Sequence, residues 1–306
     1  MRVVVTGATG LIGGALVHEL QARGDEVTVL TRDEEHAAAA LPGAVVYGWL
    51  RPTREPAPAE AFAGRDAVVH LAGEPIAQRW TDDAKQRIRT SRELGTRNLV
   101  AGLRAAEEPR PRVLVSQSAI GWYGARGDER LDESAPAATG DFLADVVAAW
   151  EAEARAAEEL GMRVALTRTG VVLADEGGAL EKMLPPFKLG VGGPVAGGGQ
   201  YVPWIHLDDV VGALLFCLDN EGASGPINLT APEPVTNKQL SKALGRVLVR
   251  PAITPVPGFA VRFLYGEMAS IVTTGARVIP KRLEELGYEF RRPDLEPALR
   301  AAVKPQ

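Results

Sequence analysis

Eleven residues near the start of the chain, Val3-Val4-Val5-Thr6-Gly7-Ala8-Thr9-Gly10-Leu11-Ile12-Gly13, constrain its fold more than any other stretch. Three β-branched residues suit a fully buried strand, and Leu11, Ile12, Ala15, Leu16 and Leu20 recur at helical spacing until Gly24 ends the run. Between the two, Gly7 and Gly10 permit a tight turn with the backbone close to a ligand, and Gly13 lets the helix pack against the sheet. Free peptide N–H groups and the positive end of the dipole at such a helix start hold a pyrophosphate. The stretch therefore predicts a dinucleotide site built from Thr6, Gly7, Thr9, Gly10, Leu11, Ile12 and Gly13.

The second strand, Glu26 to Arg32, ends where dinucleotide folds place an acidic residue on the ribose 2′-hydroxyl. Here that position holds Thr31, followed by Arg32. A carboxylate repels a 2′-phosphate, whereas a guanidinium pairs with it through charge-assisted hydrogen bonds, so the expected cofactor is NADP. The other reading of Arg32 is a cap on the sheet surface. Asp66-Ala67-Val68-Val69-His70-Leu71 reads as a further strand running into Ala72-Gly73, whose small side chains let a cofactor lie against the backbone. His70, inside that apolar strand, reads as a satisfied core histidine. A helix is expected over about 82–107, then the strand Arg112 to Ser116, a helix over about 142–160 and the strand Arg163 to Arg168. This alternation predicts an α/β fold with a Rossmann-like, doubly wound parallel sheet. After Gly170 the rhythm changes and glycines cluster, which places a smaller, mixed substrate lobe in the second half. The expected division is a nucleotide-binding domain over 1–170, with contributions from 200–230, and a lobe over 171–306 that includes a C-terminal module from about 250.

Composition narrows the function classes. A formal net charge of -5 and a pI near 5.6 argue against a nucleic-acid surface, and no basic run is interleaved with aromatics. Cys217 is the single cysteine and sits in an apolar run, so no internal disulfide is possible and the thiol reads as a small core group. Every apolar run is too short for a bilayer and no leader precedes the first strand, so a cytoplasmic protein without a membrane partner is expected. His18, His36, His70 and His206 lack metal-ligand spacing, and no Gly-x-Ser-x-Gly elbow exists for a hydrolase.

Several motifs together resemble the extended short-chain dehydrogenase/reductase superfamily, the sugar-nucleotide epimerase and dehydratase group. They are the glycine triplet, Asp66 to Ala72, Gly95-Thr96-Arg97-Asn98-Leu99, Ser116 to Gly124, and Trp204 to Val210. More narrowly, the chain is similar to the atypical, SulA-like NAD(P)-dependent epimerase family with its C-terminal DUF1731-type module. That likeness rests on Leu71 to Ile76 with Arg79-Trp80, Ser91-Arg92, Ser118 to Gly124, Phe142-Leu143-Ala144 with Trp150-Glu151, and Gly199-Gln200 with Trp204-Ile205-His206. It continues through Asn228 to Pro232 and the tail from Pro255 to Phe290.

The resemblance implies hydride exchange with a small-molecule substrate, and it also exposes a departure. Most members use a tyrosine with a lysine four residues later. The residues four places after Tyr47, Tyr123, Tyr201, Tyr265 and Tyr288 are Arg51, Gly127, Ile205, Ala269 and Arg292, so no such pair exists. If Glu151 is aligned with the glutamate that usually follows the pair, its two positions fall on Leu143 and Val147. The resemblance leaves Ser118 and Tyr123 as acid/base candidates, Tyr123 equally reading as an aromatic that packs against substrate. It adds Leu71, Ala72, Gly73 and Ser116 to the cofactor contacts and Glu74, Arg79, Trp80, Gln200, Trp204 and His206 to the substrate wall. Arg79 and Lys85 are candidate anion clamps, and His206 equally reads as a fastener for the following helix. Two hypotheses stand: an NADP(H)-dependent oxidoreductase or epimerase-like enzyme, and a non-catalytic NADP(H) sensor. A homodimer is left open.

Overall fold

In the computed structural model, which describes residues 1–303, strands and helices alternate through the first half. They are β1 (Arg2–Thr6), α1 (Leu11–Ala22), β2 (Glu26–Thr31), α2 (Glu34–Ala40), β3 (Val45–Gly48), β4 (Ala67–His70), α3 (Asp82–Ala105) and β5 (Val113–Ala119). A short β6 (Arg130–Leu131), α4 (Phe142–Arg155) and β7 (Arg163–Thr169) follow. The second half carries β8 (Val171–Leu173), α5 (Gly178–Lys188), β9 (Tyr201–Val202), β10 (Trp204–His206), α6 (Leu207–Asp219), β11 (Gly225–Leu229) and β12 (Val235–Thr236). It ends with α7 (Asn237–Leu248), α8 (Gly258–Tyr265), α9 (Ser270–Thr273), β13 (Arg277–Val278), α10 (Lys281–Glu285) and α11 (Leu295–Ala301).

Seven of these strands form one parallel sheet in the order β11-β7-β5-β4-β1-β2-β3. The fold class expected from the alternation is thus the observed one. Strand order runs outward from β1 through β2 to β3, then resumes on the other side with β4. That reversal opens a crevice at the carboxyl ends of β1 and β4, where open α/β sheets take their ligands. Both faces of the sheet are covered, which is why its strands read as unbroken apolar runs. On one face Val3, Val5, Val29 and Val69 pack with Leu16, Leu20, Val210 and Leu214 of α1 and α6; on the other Val4, Val68 and Leu114 pack with Leu99, Leu103 and Ala154 of α3 and α4.

A smaller core gathers Leu173, Leu180, Phe187, Trp204, Ala231, Leu240, Leu244 and Leu299 from the second half of the chain. The chain then returns to the large core, where Leu283 is buried and Tyr288 packs edge-on against Phe216. Tyr201 to His206 is two strands rather than one, because Pro203 has no N–H to continue a ladder. Among the described residues no helix is long and apolar enough to cross a membrane, and no cluster of residues is arranged to hold a metal ion.

Candidate functional site

The turn from β1 to α1 is built around glycine. Gly7 has φ +68°, a conformation that side chains disfavour, and a Cβ there would lie 2.8 Å from the amide of Ala72 and from the carbonyl carbon of Leu71. A Cβ on Gly13 would come within 2.2 Å of the Gly7 carbonyl oxygen. The turn therefore lies flat against the end of β4 and the first turn of α1. The helix start itself is bare: Gly10 caps it without a side-chain hydrogen bond and its first turn holds no acidic residue. By contrast α2, α3, α4 and α7 begin at Asp33, Thr81, Asp141 and Thr236, whose side chains accept from the helix backbone. An uncapped, uncharged helix start beside exposed Thr9 and Gly10 is a cradle for an anion.

At the end of β2, Arg32 is exposed and its side chain makes no hydrogen bond or ion pair with the described residues. Thr31 is turned to local work, its hydroxyl exchanging hydrogen bonds with the Asp33 backbone at 3.2 Å. Asp33 caps α2, so the one carboxylate next to Arg32 is already engaged. The free guanidinium is the group at this edge able to take a phosphate.

Thr6 acts differently from the expectation of a cofactor contact. Its side chain is sealed inside the fold, accepting from the amides of Leu71 and Ala72 and meeting His70 Nδ1 at 2.7 Å. Because Thr6 Oγ1 already accepts two N–H groups, its own proton goes to Nδ1, which leaves Nε2–H of His70 to donate to Thr96 at 3.0 Å. Burial, aided by the Arg92 charge, depresses the His70 pKa to about 4 and keeps the ring neutral. His70 is thus the satisfied core histidine its strand suggested, and Thr6 and His70 together clamp β4 to β1 under the glycine turn. Leu71 and Ala72 are half-buried and Gly73 is exposed at the crevice.

The carboxyl ends of β5 and β7 hold a second constellation. Ser118 donates to Glu151 Oε1 at 2.6 Å; Arg168 grips both oxygens of the same carboxylate at 2.8 and 2.9 Å. Arg168 also donates to the Tyr123 hydroxyl at 3.1 Å, and that hydroxyl donates to Asn228 Oδ1 at 2.7 Å. The Arg168 guanidinium lies 3.9 Å from the Trp122 ring centroid. Ser118, Tyr123, Glu151 and Arg168 are all at most 3% exposed. Burial raises the Tyr123 pKa to about 12, against the opposing pull of Arg168. In this structure neither hydroxyl is free for the acid/base work expected of it. The phenol is enclosed, bonded on both sides and held away from ionisation, and the serine is committed to a buried carboxylate. Ser116, expected at the cofactor, is also fully buried, its hydroxyl reaching only the Gln117 carbonyl.

A sequence model of the NAD dependent epimerase/dehydratase family matches residues 3–229, and one for a domain of unknown function, DUF1731, matches residues 256–302. The chain belongs to the NAD dependent epimerase/dehydratase family. Among its relatives, the Arabidopsis thaliana protein "Epimerase family protein SDR39U1 homolog, chloroplastic" is 42% identical over 99% of this chain and 87% of its own length. The Staphylococcus haemolyticus epimerase family protein SH2119 is 37% identical, with 96% of each chain covered. Among solved structures, human epimerase family protein SDR39U1 with NADPH superposes with a TM-score of 0.87 at 35% identity, covering 98% of both chains. A Bacillus cereus UDP-glucuronic acid 4-epimerase, 15% identical with a TM-score of 0.77 over 99% of this chain and 95% of its own, shares the fold.

Within this epimerase-family chain, the residues expected on the substrate wall divide into two groups. Trp204 is 1% exposed and packs in the smaller core. His206, 6% exposed, accepts from the Asp208 amide and so caps α6, the structural alternative for that residue; burial lowers its pKa. Both side chains do structural work in this structure. Gln200 is half-buried and ties the Val195 and Val272 carbonyls together at 3.1 and 2.7 Å. On the other side, Glu74 accepts from Gln78 and Arg87, and Trp80 donates to Ile76 while meeting the Phe142 ring edge-on. Arg79 is exposed and makes no side-chain bond with the described residues, so it stays available to an anion. Lys85 is paired with Glu267, which joins α3 to the segment after α8 instead of clamping substrate.

Arg92, Glu151 and Asn228 stood in the motifs that carry the family likeness, but neither they nor Arg168 were given a role in the site. Arg92 had a visible signal. It shares a stripe with Ile88, Leu99 and Leu103, all buried on α3, and a charge on an apolar stripe asks for a reason. Arg168 likewise stands between two threonines in a strand that is buried from Val164 to Thr169. Asn228 opened a family motif, but its bond to Tyr123 was not readable, because it depends on β11 joining the sheet beside β7.

Proposed function

We propose that this epimerase-family protein binds NADP(H) at the β1–α1 turn and exchanges hydride with a small substrate held between the sheet's carboxyl edge and the smaller lobe. The observation that carries the reading is the bare start of α1 beside the unpaired Arg32. Leu11 and Ile12 offer peptide N–H groups to a pyrophosphate, while the Gly10 N–H closes the turn on the Gly7 carbonyl, and Arg32 offers its guanidinium to a 2′-phosphate that an acidic residue there would repel. The 35% identity to human SDR39U1, solved with NADPH, supports the same cofactor. When bound, the nicotinamide supplies the hydride. The residues of this chain bind and orient the cofactor, and Arg79 is free to attract an anionic substrate. A cytoplasmic setting remains part of the proposal, in keeping with a single buried thiol whose pKa burial raises to about 12.

The buried Ser118–Glu151–Arg168–Tyr123 network favours a second reading, a nucleotide sensor without turnover, because the hydroxyls that would move a proton are engaged. Following NADPH absorbance with a panel of aldehydes, ketones and dicarbonyls separates the two. Under the enzyme reading at least one compound drives NADPH oxidation, and turnover persists in Tyr123→Phe, since proton delivery comes from elsewhere, such as ordered water. Absence of oxidation across the panel, with NADPH still bound, would establish the sensor reading instead.

A further inference from the structure

Two arginines are buried in this chain, and only one has a carboxylate. Arg168 is held by Glu151 within 2.8 Å. Arg92, 8% exposed, has no acidic partner within ion-pair distance among the described residues: its Nη1 donates to the Glu74 and Ile88 carbonyls, and its guanidinium lies 5.1 Å from the Trp150 ring centroid. Glu74, the carboxylate whose charge acts on Arg92, accepts from Gln78 and Arg87 through Oε1 and contributes only its backbone carbonyl to the Arg92 guanidinium. A cation withdrawn from water with only neutral carbonyls and a ring for company is costly, and an arriving anion removes that cost. The remaining donors, Nε and Nη2, have no partner among the described residues, yet neither is among the polar atoms sealed from solvent.

Access comes from Gly73. It is exposed and not in a left-handed conformation, so it is needed there for space. A Cβ on it would lie 3.2 Å from Arg92 Cζ and 3.3 Å from Nη2, tight enough to cover that edge of the guanidinium. The residues just before it, Leu71 and Ala72, abut Gly7 of the phosphate turn. Glycine at 73 therefore leaves a gap between the ligand crevice and a buried, unpaired cation.

We infer that Arg92 is an oxyanion-binding residue reached through the gap at Gly73. Its guanidinium takes a phosphate of the dinucleotide lying on the neighbouring turn, or an anionic group of the substrate beside it. The inference rests on the dinucleotide reading of that turn. Two variants test it, Arg92→Met and Gly73→Ala, the second placing only a methyl group at the gap so that the fold is preserved. Calorimetric titration with NADPH and with 2′-AMP, which lacks the pyrophosphate, reads the cofactor arm. Titration of the NADPH-saturated protein with inorganic phosphate reads the substrate arm. If a cofactor phosphate is the occupant, both variants weaken NADPH by about ten- to hundredfold and leave 2′-AMP unchanged. If a substrate anion is the occupant, NADPH affinity holds while phosphate binding is lost in both. The inference is overturned if neither ligand responds, or if NADPH and 2′-AMP weaken together with a lower melting temperature, which marks Arg92 as a structural tie. Wild-type protein that fails to bind NADPH at all counts against the dinucleotide reading itself.

Discussion

The carboxyl ends of β1, β2 and β4 and those of β5 and β7 lie in one sheet and treat polar groups in opposite ways. On the first side donors are left over among the described residues: the α1 start has no side-chain cap, Arg32 has no partner, and Arg92 has two free donors. On the second side Ser118, Glu151, Arg168, Tyr123 and Asn228 satisfy one another almost completely in a closed interior. Unsatisfied donors persist in a fold only where a ligand or water completes them, while a closed network trades reactivity for order. The first region is therefore equipped to bind. The second fastens β5, β7, β11 and α4, although it occupies the place where the family resemblance had put the chemistry.

Breaking the closed side should cost stability and leave the open side working. Glu151→Ala strands Arg168 as a buried, unpaired cation, and urea denaturation should show a loss of about 3–5 kcal/mol. A loss below about 1 kcal/mol would mean that the network is not the closed structure described. The clamp beneath the open side has its own signature in pH. His70 titrates near pH 4 in the folded chain against 6.5 in a free one, so the unfolded chain takes up a proton first as pH falls. Its contribution is therefore complete above about pH 6.5 and falls away towards pH 4, by about 3 kcal/mol in all. Comparing wild type with His70→Gln across that window should show the wild-type curve dropping more steeply; parallel curves would contradict a buried neutral imidazole. The open side should respond to Gly13→Val, whose Cβ collides with the Gly7 carbonyl, by an NADPH affinity lower by about ten- to hundredfold. Unchanged affinity with an intact fold would place the pyrophosphate elsewhere.

Much of the open side was legible in the sequence because it is local. The glycine spacing, the valine run of β1 and Arg32 at the end of β2 are near neighbours in the chain, and their physics needs no distant partner. The closed side was not legible, because its bonds join residues far apart. Tyr123 meets Asn228, 105 positions away, and Ser118 meets Glu151 across 33. From sequence alone a serine and a tyrosine beside a glycine bend look reactive; only the arrival of Arg168 and Asn228 shows that their hydroxyls are taken. The packing of Trp204 and His206 was illegible for a related reason. Their short strand is buried on both sides, by the smaller core and by α6. Arg92 lay between the two cases, since its oddity on an apolar stripe was visible but the absence of a carboxylate was not.

The most direct test of the account is calorimetric titration of NADPH and NADH into wild-type protein and into Arg32→Ala. The account predicts that wild type binds NADPH about ten- to hundredfold more tightly than NADH, and that Arg32→Ala removes the difference by weakening NADPH alone. Equal affinities in wild type, or a preference that survives the loss of Arg32, would contradict it.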